Sequence, residues 1–223
     1  MEKRTLKIGS YDTALRGWTL TEWALSDPEQ KTHYIEKTAG DGSWDLSTVV
    51  TDGIPRYKNR GLSAVLECSV GTRGERLELI SQMINQLDGF EWHIVLPDYP
   101  NHYLVGRVHV SVNFNTLAHA SVTVTAVCEP WLYKTQETAL SLAVASEERS
   151  VVLANNGRKV LVPVMTVTGS VLLKYGTSST TLTKTDNLDT FEWPTLLLTP
   201  GDHTLVYSGN GQLVIKYREA VLK

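Results

Sequence analysis

Residues 106–128 read GRVHVSVNFNTLAHASVTVTAVC, and their pattern is the clearest indication of the fold class. Apolar and polar residues alternate on both sides of a short polar segment, Asn115–His119. Period-2 alternation is typical of a strand with one buried face, and two such runs joined by a polar turn predict a long β-hairpin. The inward positions are Val108, Val110, Val112 and Phe114 in the first run, and Ala120, Val122, Val124, Ala126 and Cys128 in the second.

The same alternation appears earlier, in Arg60–Val70, and predicts a further half-buried strand. Its inward positions are Leu62, Ala64, Leu66, Cys68 and Val70.

The segment Thr72–Leu87 changes to a helical period, with apolar residues every three or four positions. Thr72 and Glu75 fit a capping box, and Gly89 stands where a helix would end. This is the one helix that the sequence predicts, and we expect it to cover one face of a sheet. Its apolar positions are Leu77, Ile80, Ile84 and Leu87.

The composition changes near residue 135, so we predict two domains, 1–134 and 135–223. The second part is rich in short strands and turn signals, which indicates a small all-β sandwich. The predicted strands are Val151–Ala154, Val160–Val167, Ser170–Tyr175, Thr195–Leu198, His203–Tyr207 and Gln212–Tyr217. The predicted turns are Asn155–Gly157, Thr199–Asp202 and Ser208–Gly211. The predicted fold class is therefore mainly β, with one helix.

Charge and hydropathy exclude several classes of protein. The 223 residues carry a net charge of -3 and no basic block, which argues against a protein that grips a phosphate backbone. No apolar run reaches the ~18 residues of a membrane helix, and the N-terminus lacks the apolar core of a signal peptide, so we expect no membrane contact. Cys68 and Cys128 are then expected to be reduced and to pack in the core as small hydrophobes.

No motif for catalysis or metal binding is present. The six histidines lack the spacing that places two imidazoles on one helical face, and His109 is expected to point outward from its strand. Gly71–Gly74 lacks the lysine of a phosphate-binding loop, and Asp41–Asp45 starts like a calcium loop that lacks its glycine. We therefore predict no catalytic residue, no cofactor and no metal, and a protein that is not an enzyme.

Several segments, taken in order, resemble the distal tail protein family of siphovirus-type phages and related prophages. They are Pro28–Thr32, Gly40–Leu46, Tyr57–Leu62, the helix Glu75–Leu87 with Asp88 and Gly89, Tyr103–Arg107, Cys128–Pro130 and Tyr133–Lys134. Over residues 135–223 the resemblance rests on Leu198–Gly201 and Val214–Tyr217.

The resemblance implies a fold and a role. The N-terminal domain would be a β-sandwich with a flanking helix, similar to tail-tube proteins, and the C-terminal domain a galectin-like β-sandwich. The chain would form a homo-hexameric ring at the distal end of the tail, made in the bacterial host cytoplasm and located at the virion tail tip. It would join the tail tube protein to the tail-associated hub protein, with the tape measure and receptor-binding proteins as further partners. DNA would pass through the lumen without specific binding, in keeping with the mildly acidic charge.

The same family role implies a docking face for the host-adhesion apparatus on the C-terminal domain. Its candidate anchors are Trp193, Tyr175, Tyr207 and Arg218, which lie near turns or strand ends. Each of them has packing inside the sandwich as its alternative, because large aromatic residues are mostly buried. The alternative function is a carbohydrate-binding adhesin module of the tail tip. A tail-associated hydrolase ranks third, since no motif supports it.

Overall fold

The computed structural model describes residues 5–51, 53–184 and 190–222. The chain divides into two compact units, an N-terminal unit of Met1–Leu132 with Leu222–Lys223 and a C-terminal unit of Tyr133–Val221. Antiparallel strands dominate both units, and the described residues contain one α-helix, so the predicted mainly β fold is confirmed.

The N-terminal unit is built on one antiparallel sheet with the strand order β2-β1-β7-β8-β9-β6-β3. A separate two-stranded hairpin, β4–β5, leaves this sheet. The elements are β1 (Lys7–Ile8), β2 (Tyr11–Asp12), β3 (Thr19–Leu25), β4 (Tyr34–Glu36), β5 (Ser43–Asp45), β6 (Arg60–Cys68), α1 (Arg73–Leu87), β7 (Glu91–Val95), β8 (His102–Asn115) and β9 (Ala120–Cys128).

The predicted hairpin β8–β9 and the predicted strand β6 lie side by side near the middle of this sheet. Strand β6 pairs with β9 over its full length, from Arg60 opposite Cys128 to Cys68 opposite Ala120. Its inward residues Leu62, Ala64, Leu66 and Cys68 are buried as predicted, because alternation places every second side chain on the core face.

Three positions predicted to point inward are exposed. Val70 lies beyond the end of β6 and is 65% exposed. In β8 the register shifts between Val112 and Phe114, and these two side chains are 47% and 40% exposed. An extra residue at such a bulge breaks the alternation of β8, whereas the opposite residues of β9, Ala120–Val122, remain buried.

Helix α1 starts at the predicted capping box. The Thr72 hydroxyl accepts a hydrogen bond from the Glu75 N–H at 3.3 Å, and the Thr72 N–H donates to Glu75 Oε2 at 2.6 Å. At the other end, Gly89 takes the left-handed conformation with φ of 80°.

The buried face of α1 differs from the prediction at two of its four positions, because Arg76 and Met83 are buried where Leu77 and Ile84 were predicted, and Ile84 is only half-buried. This face consists of Arg76, Ile80, Met83 and Leu87, whereas Leu77 is 57% exposed. The predicted inward position of Leu77 is therefore wrong, and Arg76 occupies the buried row instead. Polar arginine is missed by a search for apolar periodicity.

Arg76 joins the start of α1 to the end of the β8–β9 hairpin. Its Nη1 donates to the Gly71 carbonyl at 2.5 Å, and its Nη2 donates to the carbonyls of Thr116 and Leu117 at 3.0 and 2.9 Å. Hydrogen bonds from a charged donor are among the stronger ones in proteins. Residues 112–117, called the hairpin tip below, are therefore held against the helix, although Leu117 itself is 87% exposed.

A second buried arginine, Arg60, stands at the first position of β6. It is 2% exposed, and its Nε and both Nη atoms have no hydrogen-bond partner among the described residues. Burial lowers the pKa of this guanidinium.

The C-terminal unit is organised around one strand, β16, which is 17 residues long. It pairs with β13 along one side, and on its other side first with β12 and then with β11. The elements are β10 (Leu132–Lys134), β11 (Thr138–Val144), β12 (Arg149–Asn155), β13 (Val164–Tyr175), β14 (Ser178–Thr183), β15 (Thr190–Glu192), β16 (Gly201–Tyr217) and β17 (Ala220–Val221).

The predicted strands of this unit are partly redrawn. His203–Tyr207 and Gln212–Tyr217 belong to the single strand β16, so the predicted turn Ser208–Gly211 lies inside a strand. Val160–Val167 and Ser170–Tyr175 likewise contribute to one strand, β13. Thr195–Leu198 is no strand and makes only an isolated bridge, from Leu198 to Leu161.

Glycines allow β16 to pass close to β13 at the position of that predicted turn. Gly209 and Gly211 have φ of 133° and 106°. A Cβ atom on Gly211 would lie 1.7 Å from the Thr168 carbonyl oxygen, so no larger residue fits without moving the backbone. The glycine-rich sequence thus serves a bend within a strand, where β16 changes its partner from β12 to β11.

A buried carboxylate fixes the end of the C-terminal unit. Glu219 is 3% exposed, and it accepts hydrogen bonds from the Asn156 N–H at 2.9 Å, from Asn156 Nδ2 at 3.2 Å and from Lys134 Nζ. Burial by itself would raise the pKa of Glu219, but the bonds from Lys134 and Asn156 outweigh it and hold this pKa below its usual value.

Candidate docking surfaces

The described residues contain no group of three or more His, Cys, Asp or Glu side chains that could hold a metal ion. His109 points outward, and its Nδ1 lies 2.7 Å from Asp88 Oδ1. The same carboxylate accepts the Val110 N–H at 2.8 Å, and this bond, together with His109, holds the pKa of Asp88 below its usual value. His109 therefore has a structural role beside the end of α1.

Both cysteines are buried and free, as predicted. Burial raises the pKa of the Cys128 thiol to about 11, which keeps it protonated at neutral pH. A protonated, buried thiol is a poor nucleophile. Of the residues described, none belongs to a helix long and apolar enough to cross a bilayer.

Two of the four predicted docking anchors belong to the core of the C-terminal unit. Trp193 is 9% exposed and Tyr207 is 7% exposed, and both pack with the buried residues of β13 and β16. This placement fits the packing alternative and removes both side chains as exposed anchors. The position of an aromatic residue near a turn does not reveal which face of the sheet it occupies.

The other two predicted anchors are half-buried and hydrogen-bonded. The Tyr175 hydroxyl lies 2.7 Å from His203 Nδ1. Arg218 Nη1 donates to the carbonyls of Lys134 and Thr135 at 2.8 and 2.6 Å. Both side chains thus stabilise the C-terminal unit. Tyr175 packs against the core cluster that contains Trp193 and Tyr207, whereas Arg218 is not part of it.

Exposed apolar side chains occur instead on a segment that the sequence analysis named for its family resemblance but not as a docking surface. Residues 27–51 and 53–59, called the arm below, link β3 to β6 and carry the hairpin β4–β5. Ile35 pairs with Trp44 across this hairpin, and these side chains are 47% and 61% exposed. Further exposed apolar side chains of the arm are Tyr34 at 58%, Val49 at 65% and Val50 at 91%.

The arm is tied down at its base. The Lys31 N–H donates to the Arg56 carbonyl at 2.8 Å, and the Lys58 N–H donates to the Glu29 carbonyl at 2.8 Å. Lys58 Nζ also lies 2.6 Å from Glu29 Oε1. An isolated two-stranded hairpin is marginally stable in water, and a cross-strand pair of large exposed apolar side chains such as Ile35 and Trp44 is typical of an interaction site. The arm is therefore the candidate docking surface of the N-terminal unit.

Together, the two units define a class of protein: a mainly β chain in which a helix-bearing antiparallel sheet precedes a second β unit built on one long strand. The crystal structure of the Dit protein of phage SPP1 is similar to this chain, with a TM-score of 0.70 and 15% sequence identity. The match covers 99% of this chain and 100% of SPP1 Dit, which is described as a paradigm of the hub adsorption apparatus in phages that infect Gram-positive bacteria. No protein-family model and no curated protein matches this chain. The likeness therefore establishes a shared fold over both units.

Proposed function

We propose that this chain is a structural protein of a phage tail tip, which forms a hexameric ring between the tail tube protein and the tail-associated hub protein. The observation that carries the proposal is the full-length likeness to SPP1 Dit, at a TM-score of 0.70. A fold alone does not define a function, but a likeness that covers both units supports a common role better than one shared domain would.

A closed ring needs two different patches on each subunit, because every copy contacts its two neighbours with unlike surfaces. The N-terminal unit offers two such patches. One is the arm with Ile35 and Trp44, and the other is the hairpin tip with Phe114 and Leu117, which are 40% and 87% exposed. We propose that the arm of one subunit packs against the hairpin tip of the next.

The edges of the N-terminal sheet favour contact through side chains over strand pairing. Strand β2 has two residues, and β3 carries a bulge between Leu20 and Glu22. Short, bulged and charged edges resist the addition of another strand. This supports the arm and the hairpin tip as the proposed contact surfaces of the ring.

The remaining parts of the proposed role concern the surroundings of the ring. With a net charge of -3 the chain offers no strong attraction to phosphates, so DNA would pass through the lumen without specific binding. The C-terminal unit, proposed to be galectin-like, would dock receptor-binding proteins, and the tape measure protein would lie inside the tail above the ring. The location would be the virion tail tip, after synthesis in the host cytoplasm.

Light scattering and negative-stain images of the purified chain test this proposal. We expect rings of six copies, and we expect the double variant Ile35→Ala/Trp44→Ala to lose them without a fall in Tm, because both side chains are exposed. Val152→Ala is the matched control, since Val152 is an exposed apolar residue (56%) of the C-terminal unit. Monomers at every concentration would contradict the proposal, and glycan binding by such monomers would favour the adhesin alternative.

A further inference from the structure

Strand β11 forms an open edge of the C-terminal sheet. It pairs with β16 over seven consecutive positions, from Thr138 opposite Tyr217 to Val144 opposite Gly211, without a register shift. Within the part of the chain that is described, no strand is hydrogen-bonded to its other side. The outward N–H and C=O groups of β11 are therefore a template for one more strand.

This edge lacks the features that usually prevent strand addition. Its sequence, TALSLAV, contains no charged residue and no proline. Elsewhere in the chain, β2 is two residues long, β3 has a bulge beside Glu22, and β12 begins at Arg149. Strand β14 is also uncharged, but it ends one residue before a gap in the described residues (185–189), so it is not considered as an open edge. Because Lys, Pro and bulges normally protect edges, their absence from β11 indicates an edge that is used.

The side chains of β11 indicate what fits there. Leu140 and Leu142 are half-buried and pack against the core, whereas the residues that alternate with them along β11 have small, exposed side chains. These small residues are Ala139, Ser141 and Ala143. A stripe of small side chains leaves room on the outer face for large or β-branched residues of an adjacent strand. The outward N–H and C=O groups of β11 can be paired in register only by a partner segment whose backbone is extended.

The strand is fixed at both ends, so little order has to be gained on binding. Arg218 Nη1 holds the carbonyls of Lys134 and Thr135 before β11, and the Gly209 N–H donates to the Ala145 carbonyl at 2.8 Å after it. Gln212 Nε2 also donates to Ser141 Oγ at 2.7 Å. A rigid site loses less entropy on association than a flexible one.

We propose that β11 binds an extended, uncharged segment of a partner protein, which adds to the sheet as a further strand. The choice of a foreign segment rests on the proposed function. If β11 paired with β11 of a second copy, the contact would be isologous and would create a two-fold axis. A ring with unlike neighbours above and below has no such axis, so the second copy is the disfavoured occupant.

A labelled peptide with the sequence of Ser121–Val127, SVTVTAV, is a suitable probe, because it is uncharged and rich in the β-branched residues that favour an extended strand. We expect fluorescence anisotropy to show binding to the full chain with a Kd below about 1 mM. The same peptide with N-methyl groups at alternating residues should bind at least tenfold more weakly. Hydrogen exchange of residues 138–144 should slow when the unmodified peptide is added.

Ser141→Lys/Ala143→Lys should weaken the peptide at least tenfold, because charged side chains disfavour strand addition. Thr204→Lys is the matched control: Thr204 is exposed on β16 opposite Val152 of β12, where the edge is occupied, and peptide affinity should not change. Absence of binding, or equal binding of the N-methylated peptide, would overturn the proposal, as would a dimer in light scattering that the double variant abolishes. Rings without peptide binding would refute this inference alone, and peptide binding without rings would refute only the proposed function.

Discussion

Replacement of Trp193 by alanine tests the placement of this residue in the core of the C-terminal unit. Trp193 is 9% exposed, and removal of a buried tryptophan side chain costs about 3–5 kcal/mol of unfolding free energy. Small domains have a total of about 5–15 kcal/mol, so the loss is a large part of what holds this unit together. Since 1 kcal/mol shifts Tm by roughly 4–8 °C in a domain of this size, Tm of the C-terminal unit should fall by roughly 12–40 °C.

Differential scanning calorimetry measures this effect, because it can resolve the transitions of the two units. Trp44→Ala is the matched control: it removes the same side chain at a position that is 61% exposed, and the free energy of unfolding should change by less than about 0.5 kcal/mol. Trp193→Phe keeps an aromatic ring, so its Tm should lie between those of the wild type and Trp193→Ala.

The opposite pattern would refute the placement in the core. If Trp193→Ala melted like the wild-type chain but no longer incorporated peripheral tail proteins, Trp193 would be a docking residue. A lower Tm in Trp44→Ala would in turn show that the arm contributes to the stability of the monomer.

Three further changes test other parts of the structure. Gly211→Ala should lower the free energy of unfolding of the C-terminal unit by more than about 4 kcal/mol and abolish its calorimetric transition, because the new Cβ would overlap a carbonyl oxygen of β13. In the control Gly176→Ala the new Cβ would have no atom within 4 Å, so the loss should be only about 1–2 kcal/mol. Equal losses in the two variants would contradict this interpretation. Arg60→Met should leave the Tm of the N-terminal unit unchanged or raise it, since the buried guanidinium has no hydrogen-bond partner among the described residues. A clear fall in Tm would show that Arg60 is paired. Folding lowers the pKa of Glu219, so its contribution to the free energy of unfolding is complete above the ordinary pKa of about 4.3 and is lost as pH falls through the pKa of the folded state. Glu219→Gln should therefore flatten the decline of Tm below about pH 5. An unchanged dependence of Tm on pH would argue against this contribution.

The sequence predicts those elements that a local pattern controls. Alternation identifies β6 and the hairpin β8–β9, and the capping box of Thr72 and Glu75 identifies the start of α1. In these segments the side-chain period and the hydrogen bonds of the helix end depend on neighbours in the chain. Such short-range rules apply whatever the rest of the protein does.

Elements that depend on distant contacts escape the same reasoning. Ser208–Gly211 has the composition of a turn, and only its approach to β13 shows why glycines occupy a strand. Arg76 is buried because carbonyl groups some 40 residues away, at Thr116 and Leu117, accept its hydrogen bonds. The exposure of Phe114 likewise depends on the register shift between β8 and β9, which the alternation of β8 alone does not reveal.

The docking surfaces were predicted less well than the fold. Trp193 and Tyr207 attracted attention as large aromatics near turns, but their faces are set by pairing within the C-terminal sheet. The arm carries apolar residues without a helical or strand-like period, and this mixture was a usable signal of an exposed contact surface. Tyr34, Ile35 and Trp44 are its clearest members.

The position of β16 late in the chain affects how the protein is made. Strands β11, β12 and β13 all find their hydrogen-bonding partner in β16, which ends at Tyr217. By contrast, the seven strands β1–β3 and β6–β9 have all been synthesised once the ribosome passes Cys128. Domains fold as units during translation, so the N-terminal sheet can form on the nascent chain while β11 and β12 are still without a partner. Strand β13 can already pair with β14 and β15 at that stage. Until β16 emerges, the uncharged strand β11 lacks its partner, so we expect the C-terminal unit to be the part of the nascent chain most exposed to self-association.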